Sequence, residues 1–331
     1  MVVDDWGIVF YFLASFLTVL VITPLLIRYF KRIGLVVKDM NKESTPLVPI
    51  SGGIPVMIGV VAGLMVFIFL ETFFYRSQTD LVSIFAASSV ILIVAFIGFI
   101  DDLLVHNSHE RSMGLRQWQK PLLTFFAAIP LMVISAGTTT MGIPFIGEVN
   151  FGILYPLLII PIGFVGATNM VNLLEGFNGL GTGMGIIYTG MLGLYAYSRS
   201  RMVAALICLV VFAALLAFFI YNKYPAKILP GDSLTYLLGG TLALVAILGN
   251  IERAALIASV PFIIEFFLKF RGRFKKQTYG YFHEGKIRST YDKEIYSIPH
   301  LLTRTGKYTE RQIVYFMMFI ELVFASLIWF V

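Results

Sequence analysis

The sequence predicts an all-α polytopic membrane protein with about ten transmembrane helices. Hydrophobic residues make up 58% of the chain and charged residues only 13%, whereas soluble domains are about 45–50% apolar. The mean hydropathy is +0.85. A helix needs about 20 apolar residues to cross ~30 Å of hydrocarbon, and several runs reach that length. The runs lack the alternation of a β-barrel, so helices that satisfy their own backbone hydrogen bonds are expected.

Ten apolar runs bounded by charged or Gly/Pro-rich sequence are the candidate spans. They cover 7–29, 53–70, 82–100, 121–136, 152–171, 180–198, 203–221, 234–249, 254–270 and 312–331. We expect the first to be retained, because it is too long and too weakly basic at its start for a signal peptide. The single cysteine, Cys208, excludes a disulfide and a cysteine metal site. The whole chain, 1–331, is expected to form one integral membrane domain.

Lysine and arginine are distributed unequally between the two sides of such a bundle. With ten spans, all but four of the 25 fall on one side, and the other side holds Arg76, Arg199, Arg201 and Arg253. Cytoplasmic loops carry the excess of basic residues. Both termini are therefore expected outside the cytosol. The same asymmetry would attract anionic lipids and substrates, although topology alone also explains it.

Three polar elements lie at the ends of predicted spans on the basic side. Asp101 and Asp102 follow the run 91–100, and two adjacent carboxylates are costly to desolvate unless a cation or a proton compensates them. Asp232 follows a Pro-Gly pair and precedes another span. The alternatives are two solvated charges that mark the end of a span, and a helix cap at Asp232.

The third element is an asparagine- and glycine-rich segment, 168–185. A glycine-rich helix start exposes backbone N–H groups to an anion, and close packing of helices through small residues is the alternative. Asn172 offers an amide oxygen. Since Mg²⁺ takes a few protein oxygens together with water and substrate phosphates, Asp and Asn at neighbouring span ends favour a magnesium site.

The longest polar segment, 271–311, is basic and rich in aromatic residues. We expect it to be a cytosolic loop that forms part of an active site. Arg271 and Arg273 suit phosphate oxygens, and a cluster that contacts lipid headgroups is the alternative. His283 is isolated in this loop.

Together these motifs resemble the polyprenyl-phosphate N-acetylhexosamine-1-phosphate transferases of glycosyltransferase family 4, nearest to the dolichyl-phosphate GlcNAc-1-phosphotransferases. The bacterial phospho-MurNAc-pentapeptide translocases are more distant, because they carry a histidine cluster in the loop where His283 is isolated here. The resemblance covers nearly the whole chain: Asp39 to Gly53, Phe99-Ile100-Asp101-Asp102, 169–180, Tyr224-Pro225, Gly231-Asp232, Ile247-Leu248-Gly249 and Pro299 to Arg311.

The resemblance implies a role for each residue that matches a family motif. Asp101, Asp102 and Lys120 would be catalytic, and Asn172 and Asp232 would hold Mg²⁺, with Mn²⁺ as the alternative. Leu229 stands where a nucleobase-stacking aromatic residue can occur. The substrate-binding residues would be Gly176, Asn178, Leu229, Arg271, Arg273 and His283.

The activity implied by the resemblance is transfer of GlcNAc-1-phosphate, or a related N-acetylhexosamine-1-phosphate, from a UDP-sugar to polyprenyl or dolichyl phosphate. This would be the first membrane step of N-glycan or cell-surface glycan assembly. The expected location is a prokaryotic, archaeal-like plasma membrane with the active site facing the cytosol. A homodimer is left open, and no nucleic acid partner is expected.

Two alternatives to this function are weighed. The first is a translocase of the phospho-MurNAc-pentapeptide type. The second is a non-catalytic ion or lipid transporter, but transporter sites tend to lie at the membrane midplane on broken helices, often within inverted repeats. The carboxylates here lie at span ends and the chain has no evident internal repeat, which favours the enzyme.

Overall fold

A computed structural model describes residues 5–76, 80–107, 114–143 and 147–331. Helix is present in each of the ten apolar runs, and Arg111, which was counted in the basic loops, lies outside the described residues. The helices are α1 (Asp5–Arg32), α2 (Gly53–Phe73), α3 (Leu81–Asn107), α4 (Gln119–Val133), α5 (Ile160–Leu173), α6 (Leu180–Ser198), α7 (Met202–Asn222), α8 (Gly231–Gly249), α9 (Glu252–Ala258), α10 (Val260–Arg271), α11 (His300–Thr303) and α12 (Glu310–Leu327). A π-helical turn, Tyr155–Ile159, leads into α5, and a 3₁₀ turn, Ile328–Phe330, follows α12.

Seven helical stretches among the described residues are long and apolar enough to cross a membrane. They correspond to α1, α2, α3, α5, α7, α8 and α12. The prediction of a polytopic helical membrane protein is therefore confirmed. The predicted number of ten spans is not reached, because by length and composition only seven stretches of the described residues qualify. Helix α4 has only 15 residues, and glycines dilute the apolar surface of α6. The ninth predicted span is divided into α9 and α10 at Ser259, just before Pro261.

Short hairpins between helices depart from the all-α expectation. Three antiparallel pairs form: β1 (Val36–Lys38) with β2 (Leu47–Pro49), β3 (Thr140–Ile143) with β4 (Gly147–Asn150), and β5 (Tyr281–His283) with β6 (Lys286–Arg288). Strands of three or four residues carry too little alternation for sequence periodicity to reveal them. Two of the hairpins lie in the polar segments that follow α1 and α10.

Helix α8 is the centre of the bundle. Of its most apolar 18-residue window, 89% is buried inside the protein, against 22% for α1. Small residues let its neighbours approach closely, as in other membrane helix pairs. A Cβ on Gly53 of α2 would lie 2.2 Å from the backbone of Ser233, and one on Gly239 would lie 2.5 Å from Thr168 of α5. The position of α8 is therefore fixed from several sides.

The helix ends on one side of the bundle are tied together by hydrogen bonds, and we call this side the Asp101 face. It contains the ends of α1, α3, α5, α7 and α10 and the beginnings of α2, α4, α6, α8 and α12. For example, Ser51 before α2 donates to Asp102 of α3, and Thr278 after α10 donates to the carbonyl of Leu173 at the end of α5. The polar elements singled out in the sequence meet at this face.

Gly98 provides a test of this packing. A Cβ at Gly98 of α3 would lie 2.3 Å from the carbonyl oxygen of Asp232, and overpacking of this kind costs about 1–3 kcal/mol. Gly98→Ala should therefore lower the midpoint of thermal denaturation of the detergent-solubilised protein. Gly163→Ala in α5 is the matched control, since a Cβ there meets nothing within 4 Å. Equal midpoints for the two variants would contradict the tight contact between α3 and α8.

Candidate active site

A cavity of about 650 Å³ opens at the Asp101 face. Its walls come from six parts of the chain: the β1–β2 hairpin region, the end of α3, the beginning of α4, the 169–178 segment, the 229–232 turn and the 266–279 segment. Of the residues predicted for the site, Asp101, Lys120, Asn172, Gly176, Asn178, Leu229 and Asp232 line it. The fold therefore brings together residues that lie more than 100 positions apart.

Lys120 lies between two carboxylates inside this cavity. Its Nζ is 2.6 Å from Oδ2 of Asp101 and 2.8 Å from Oδ2 of Asp232. The other oxygen of Asp101 accepts the backbone N–H of Leu115 at 2.6 Å. Asp101 is fully buried, whereas 29% of the Asp232 side chain is exposed. The ammonium group thus keeps two carboxylates at one site, and Asp232 is the one that a ligand reaches directly.

Asp102 has a different environment from that of its neighbour. It is buried and does not line the cavity. Its carboxylate accepts hydrogen bonds from Ser51 Oγ at 2.8 Å, from the N–H of Asp232 at 2.7 Å and from the N–H of Ser233 at 3.3 Å. A carboxylate that accepts the first N–H groups of a helix stabilises its N-terminus. Asp102 therefore anchors the beginning of α8 and places Asp232.

The oxygen donors around Lys120 suit a hard divalent cation. Asn172 lines the cavity with Asp232, and its Nδ2 donates to Oγ1 of Thr235, one turn further along α8, at 2.8 Å. Across the described ranges, no three His, Cys, Asp or Glu side chains converge as a metal site. A cation here would be held by carboxylate and amide oxygens and would complete its shell from water and substrate phosphate, which is the behaviour of Mg²⁺.

The glycine-rich turn before α6 is held by Glu175, for which the sequence suggested no role. Its carboxylate accepts the N–H groups of Gly176 at 3.2 Å and of Gly181 at 3.0 Å. Burial raises the pKa of Glu175 to about 7, against the lowering effect of these hydrogen bonds. Gly179 has φ of +84°, a conformation that glycine adopts without strain. The turn therefore has a fixed shape on the cavity wall.

Asn178 and Leu229 line the cavity, but their polar groups are bonded within the protein. Asn178 Nδ2 donates to Asp39 at 3.1 Å, and its Oδ1 accepts the N–H of Ala226 at 3.0 Å. Leu229 pairs through its backbone with Pro49 and Gly52. As the structure places them, these residues shape the wall and leave its hydrogen-bonding groups largely saturated.

Three predicted residues of the basic loop do not line the cavity. Arg271 donates to the carbonyl of Ile295, and its guanidinium lies 5.2 Å from the ring centroid of Tyr296. Arg273 has φ of +53° just after α10. His283 is in β5, 43% exposed, with Nε2 3.7 Å from Glu284. None of the three is in the cavity wall.

Lys276 is the basic side chain of this loop that lines the cavity, although its position in the sequence suggested no separate role for it. Its Nζ lies 4.9 Å and 5.3 Å from the ring centroids of Tyr291 and Tyr296. Its carbonyl accepts the ammonium group of the buried Lys269 at 2.9 Å. Within the described part of the chain, no carboxylate lies within 4 Å of Lys276 Nζ. Its charge is therefore uncompensated beside the cavity.

His300 fixes the same loop through its neutral ring. Nδ1 accepts the N–H of Tyr296 at 3.2 Å, so the proton is on Nε2, which donates to the carbonyl of Gln277 at 3.1 Å. The ring is buried, and burial together with the nearby Lys269 lowers the pKa of His300 to about 4. Protonation of Nδ1 would break the bond from Tyr296.

Comparison with known proteins identifies relatives over most of the chain. The family model described as Glycosyl transferase family 4 matches residues 83–250. A protein of Saccharolobus solfataricus is 35% identical over 315 residues, which cover 95% of this chain and 93% of the relative. One of Sulfolobus acidocaldarius is 35% identical over 334 residues, with 99% and 97% covered. Both carry the provisional name UDP-N-acetylglucosamine–dolichyl-phosphate N-acetylglucosaminephosphotransferase.

A bacterial relative is also detected, over a smaller part of the chain. The phospho-N-acetylmuramoyl-pentapeptide-transferase of Lactobacillus helveticus is 33% identical over 265 residues, which cover 76% of this chain and 79% of the relative. The archaeal and bacterial relatives therefore differ more in coverage than in identity.

The neutral His300 predicts a pH dependence of the loop. Between pH 6.5 and 4 the unfolded chain binds a proton at His300 that the folded chain does not, so the stability of the loop falls as the pH falls through this window. Hydrogen–deuterium exchange of residues 276–300, corrected for the intrinsic effect of pH, should be faster at pH 5 than at pH 7. His300→Phe should remove the difference. Equal protection of the unmodified protein at both pH values would contradict the assignment.

Proposed function

The chain belongs to glycosyl transferase family 4, and on that premise we propose that it transfers N-acetylglucosamine 1-phosphate from UDP-N-acetylglucosamine to dolichyl phosphate or a related polyprenyl phosphate. The observation that carries the proposal is the cavity in which Lys120 joins Asp101 and Asp232 at the ends of apolar helices. A lipid phosphate and a nucleotide sugar can meet only where membrane and water meet. The names of the two archaeal relatives support the choice of substrates.

The reaction is a single displacement at phosphorus. An oxygen of the lipid phosphate forms a bond to the sugar-linked phosphorus, the bond from that phosphorus to the bridging oxygen breaks, and UMP leaves with the electron pair. Because the transition state spreads negative charge over the phosphoryl oxygens, positive groups that are already in place supply much of the acceleration. Lys120 is such a group, and its position is fixed by two carboxylates.

Asp232 and Asn172 would hold Mg²⁺, which neutralises the pyrophosphate charge when bound. Asp101 acts mainly by positioning Lys120, since one of its oxygens accepts the N–H of Leu115 and the other faces the ammonium group. An obligatory base is not needed, because a phosphate monoester with a second pKa of about 6 is already largely ionised at neutral pH. Asp102 keeps Asp232 in place through the backbone.

Lys276 binds the pyrophosphate of the donor from the loop side. It is the uncompensated cation of the loop in the cavity wall, whereas Arg271 is bonded to Ile295. The rings of Tyr291 and Tyr296 beside its ammonium group and the hydrogen bond from Lys269 to its carbonyl limit its movement. Lys276 therefore loses less conformational entropy when the donor binds.

The orientation of the protein follows from the same face. By the count along the sequence, all but four of the 25 lysines and arginines fall in loops or span ends assigned to this side, and such loops remain in the cytosol. The proposed site therefore faces the cytosol, where nucleotide sugars are available, and both termini lie on the other side of a prokaryotic plasma membrane.

The activity itself gives the first test of this proposal. Purified protein incubated with UDP-GlcNAc, Mg²⁺ and dolichyl phosphate should release UMP and form a lipid-linked pyrophosphate sugar. Asp232→Asn should reduce the rate by at least about a hundredfold, whereas Glu43→Gln, an exposed carboxylate outside the cavity wall, should not. Absence of UMP with several polyprenyl phosphates, or release only with UDP-MurNAc-pentapeptide as donor, would overturn the proposed substrates.

Lys276 gives the second test. Lys276→Met removes a charge-assisted hydrogen bond to phosphate and should raise KM for UDP-GlcNAc by roughly tenfold or more. Lys275→Met is the matched control, because Lys275 is exposed and not part of the cavity wall. Steady-state kinetics with the donor varied would measure both. A larger effect from Arg271→Met than from Lys276→Met would assign the pyrophosphate to the arginine instead.

A further inference from the structure

Three segments that are distant in the sequence meet behind Asn178, which lines the cavity. We call this part of the cavity the Asn178 wall. Lys42 Nζ lies 3.0 Å from Oδ2 of Asp39, and it also donates to Oε2 of Glu310, the first residue of α12. The other oxygen of Glu310 accepts the backbone N–H of Asn178 at 2.8 Å. Asp39 and Glu310 are buried, and only 12% of the Lys42 side chain is exposed. We call Asp39, Lys42 and Glu310 the latch.

The latch determines where Asn178 lies. The backbone N–H of Asn178 is bound by Glu310, and its side-chain amide is bound by Asp39. Each of these two carboxylates is bound in turn by Lys42. Asn178 and Asp39 form part of the cavity wall, whereas Lys42 and Glu310 do not. Glu310 of α12 thus affects the cavity through its hydrogen bond with Asn178, although Glu310 itself does not line the cavity.

The latch is separate from the group that contacts the reacting phosphates. Among the described residues, the carboxylates within 4 Å of Lys42 are those of Asp39 and Glu310, and those within 4 Å of Lys120 are Asp101 and Asp232. The two lysines share no partner. A displaced latch would therefore move the wall against which a donor lies and leave the groups around Lys120 in place.

We propose that the Asp39–Lys42–Glu310 latch is a positioning device for the nucleotide-sugar donor, which it acts on by fixing the Asn178 wall. This inference rests on the proposed function. Without Lys42, two buried carboxylates would face each other with no cation between them, and like charges at such a separation repel. One of them would have to move and would take the Asn178 wall with it. The affinity for the donor falls, whereas the rate of the displacement at phosphorus does not.

A double substitution distinguishes this role from a general loss of stability. Glu310→Gln removes one negative charge but keeps an oxygen that can accept the N–H of Asn178. Lys42→Met alone should raise KM for UDP-GlcNAc and the dissociation constant of UMP by roughly tenfold, with kcat within about twofold. Adding Glu310→Gln to Lys42→Met should recover most of both losses. Lys307→Met, an exposed lysine shortly before α12, is the control and should change neither constant.

Kinetics with UDP-GlcNAc and calorimetric titration with UMP would measure these effects. Unchanged KM and UMP affinity in Lys42→Met, a fall in kcat alone, or a double variant no better than Lys42→Met would overturn the latch. If Lys42→Met does not fold, Glu310→Asp takes its place, because the shorter side chain cannot reach both Lys42 and Asn178 and should weaken UMP binding. If the unmodified protein binds UMP but turns over no donor, the proposed function fails. The calorimetric titration of the variants with UMP then still tests the latch.

Discussion

The beginning of α8 is held by a single carboxylate, and the arrangement of the cavity depends on it. Asp102 of α3 accepts the first N–H groups of α8 and the hydroxyl of Ser51 before α2, so three helices are fixed at one point. Gly231 makes this possible: its φ is +67°, and a Cβ there would lie 2.4 Å from Asp102. Asp232 then points toward Lys120, and Thr235 on the next turn meets Asn172. The hydrogen bonds that Asp102 accepts from the backbone of α8 therefore determine where the polar side chains of the cavity lie.

The sequence predicted the helices well, because long apolar runs have few alternatives in a membrane. It was less accurate where local and tertiary effects compete. The division between α9 and α10 at Ser259 and the three short hairpins do not alter the overall pattern of hydropathy, so they leave no clear signal in it. The residues with the strongest local signals, Asp101, Asn172 and Asp232, all line one cavity.

The sequence was least informative within the basic loop. The run 271–276 contains four cations in six positions, and the side chain that faces the cavity is determined by contacts made far along the chain. Lys269, Tyr291 and Tyr296 place Lys276, while Ile295 binds Arg271. In the same way, Lys42 and Glu310 are 268 positions apart, and neither carries a motif that points to the other. Such pairs become visible only when the chain is folded.

Asp101 and Asp102 are neighbours on α3 but face different sides of it. One faces the cavity and the other faces the backbone of α8, because successive residues of an α-helix are rotated by about 100°. This places a strict condition on the register of α3. An inserted or deleted residue between the membrane part of the helix and Asp101 would turn a different side chain toward Lys120 and leave the first N–H groups of α8 without their acceptor. The number of residues in α3 before Asp101 therefore cannot change by even one, although most of the apolar side chains of the helix could be exchanged for others of similar size.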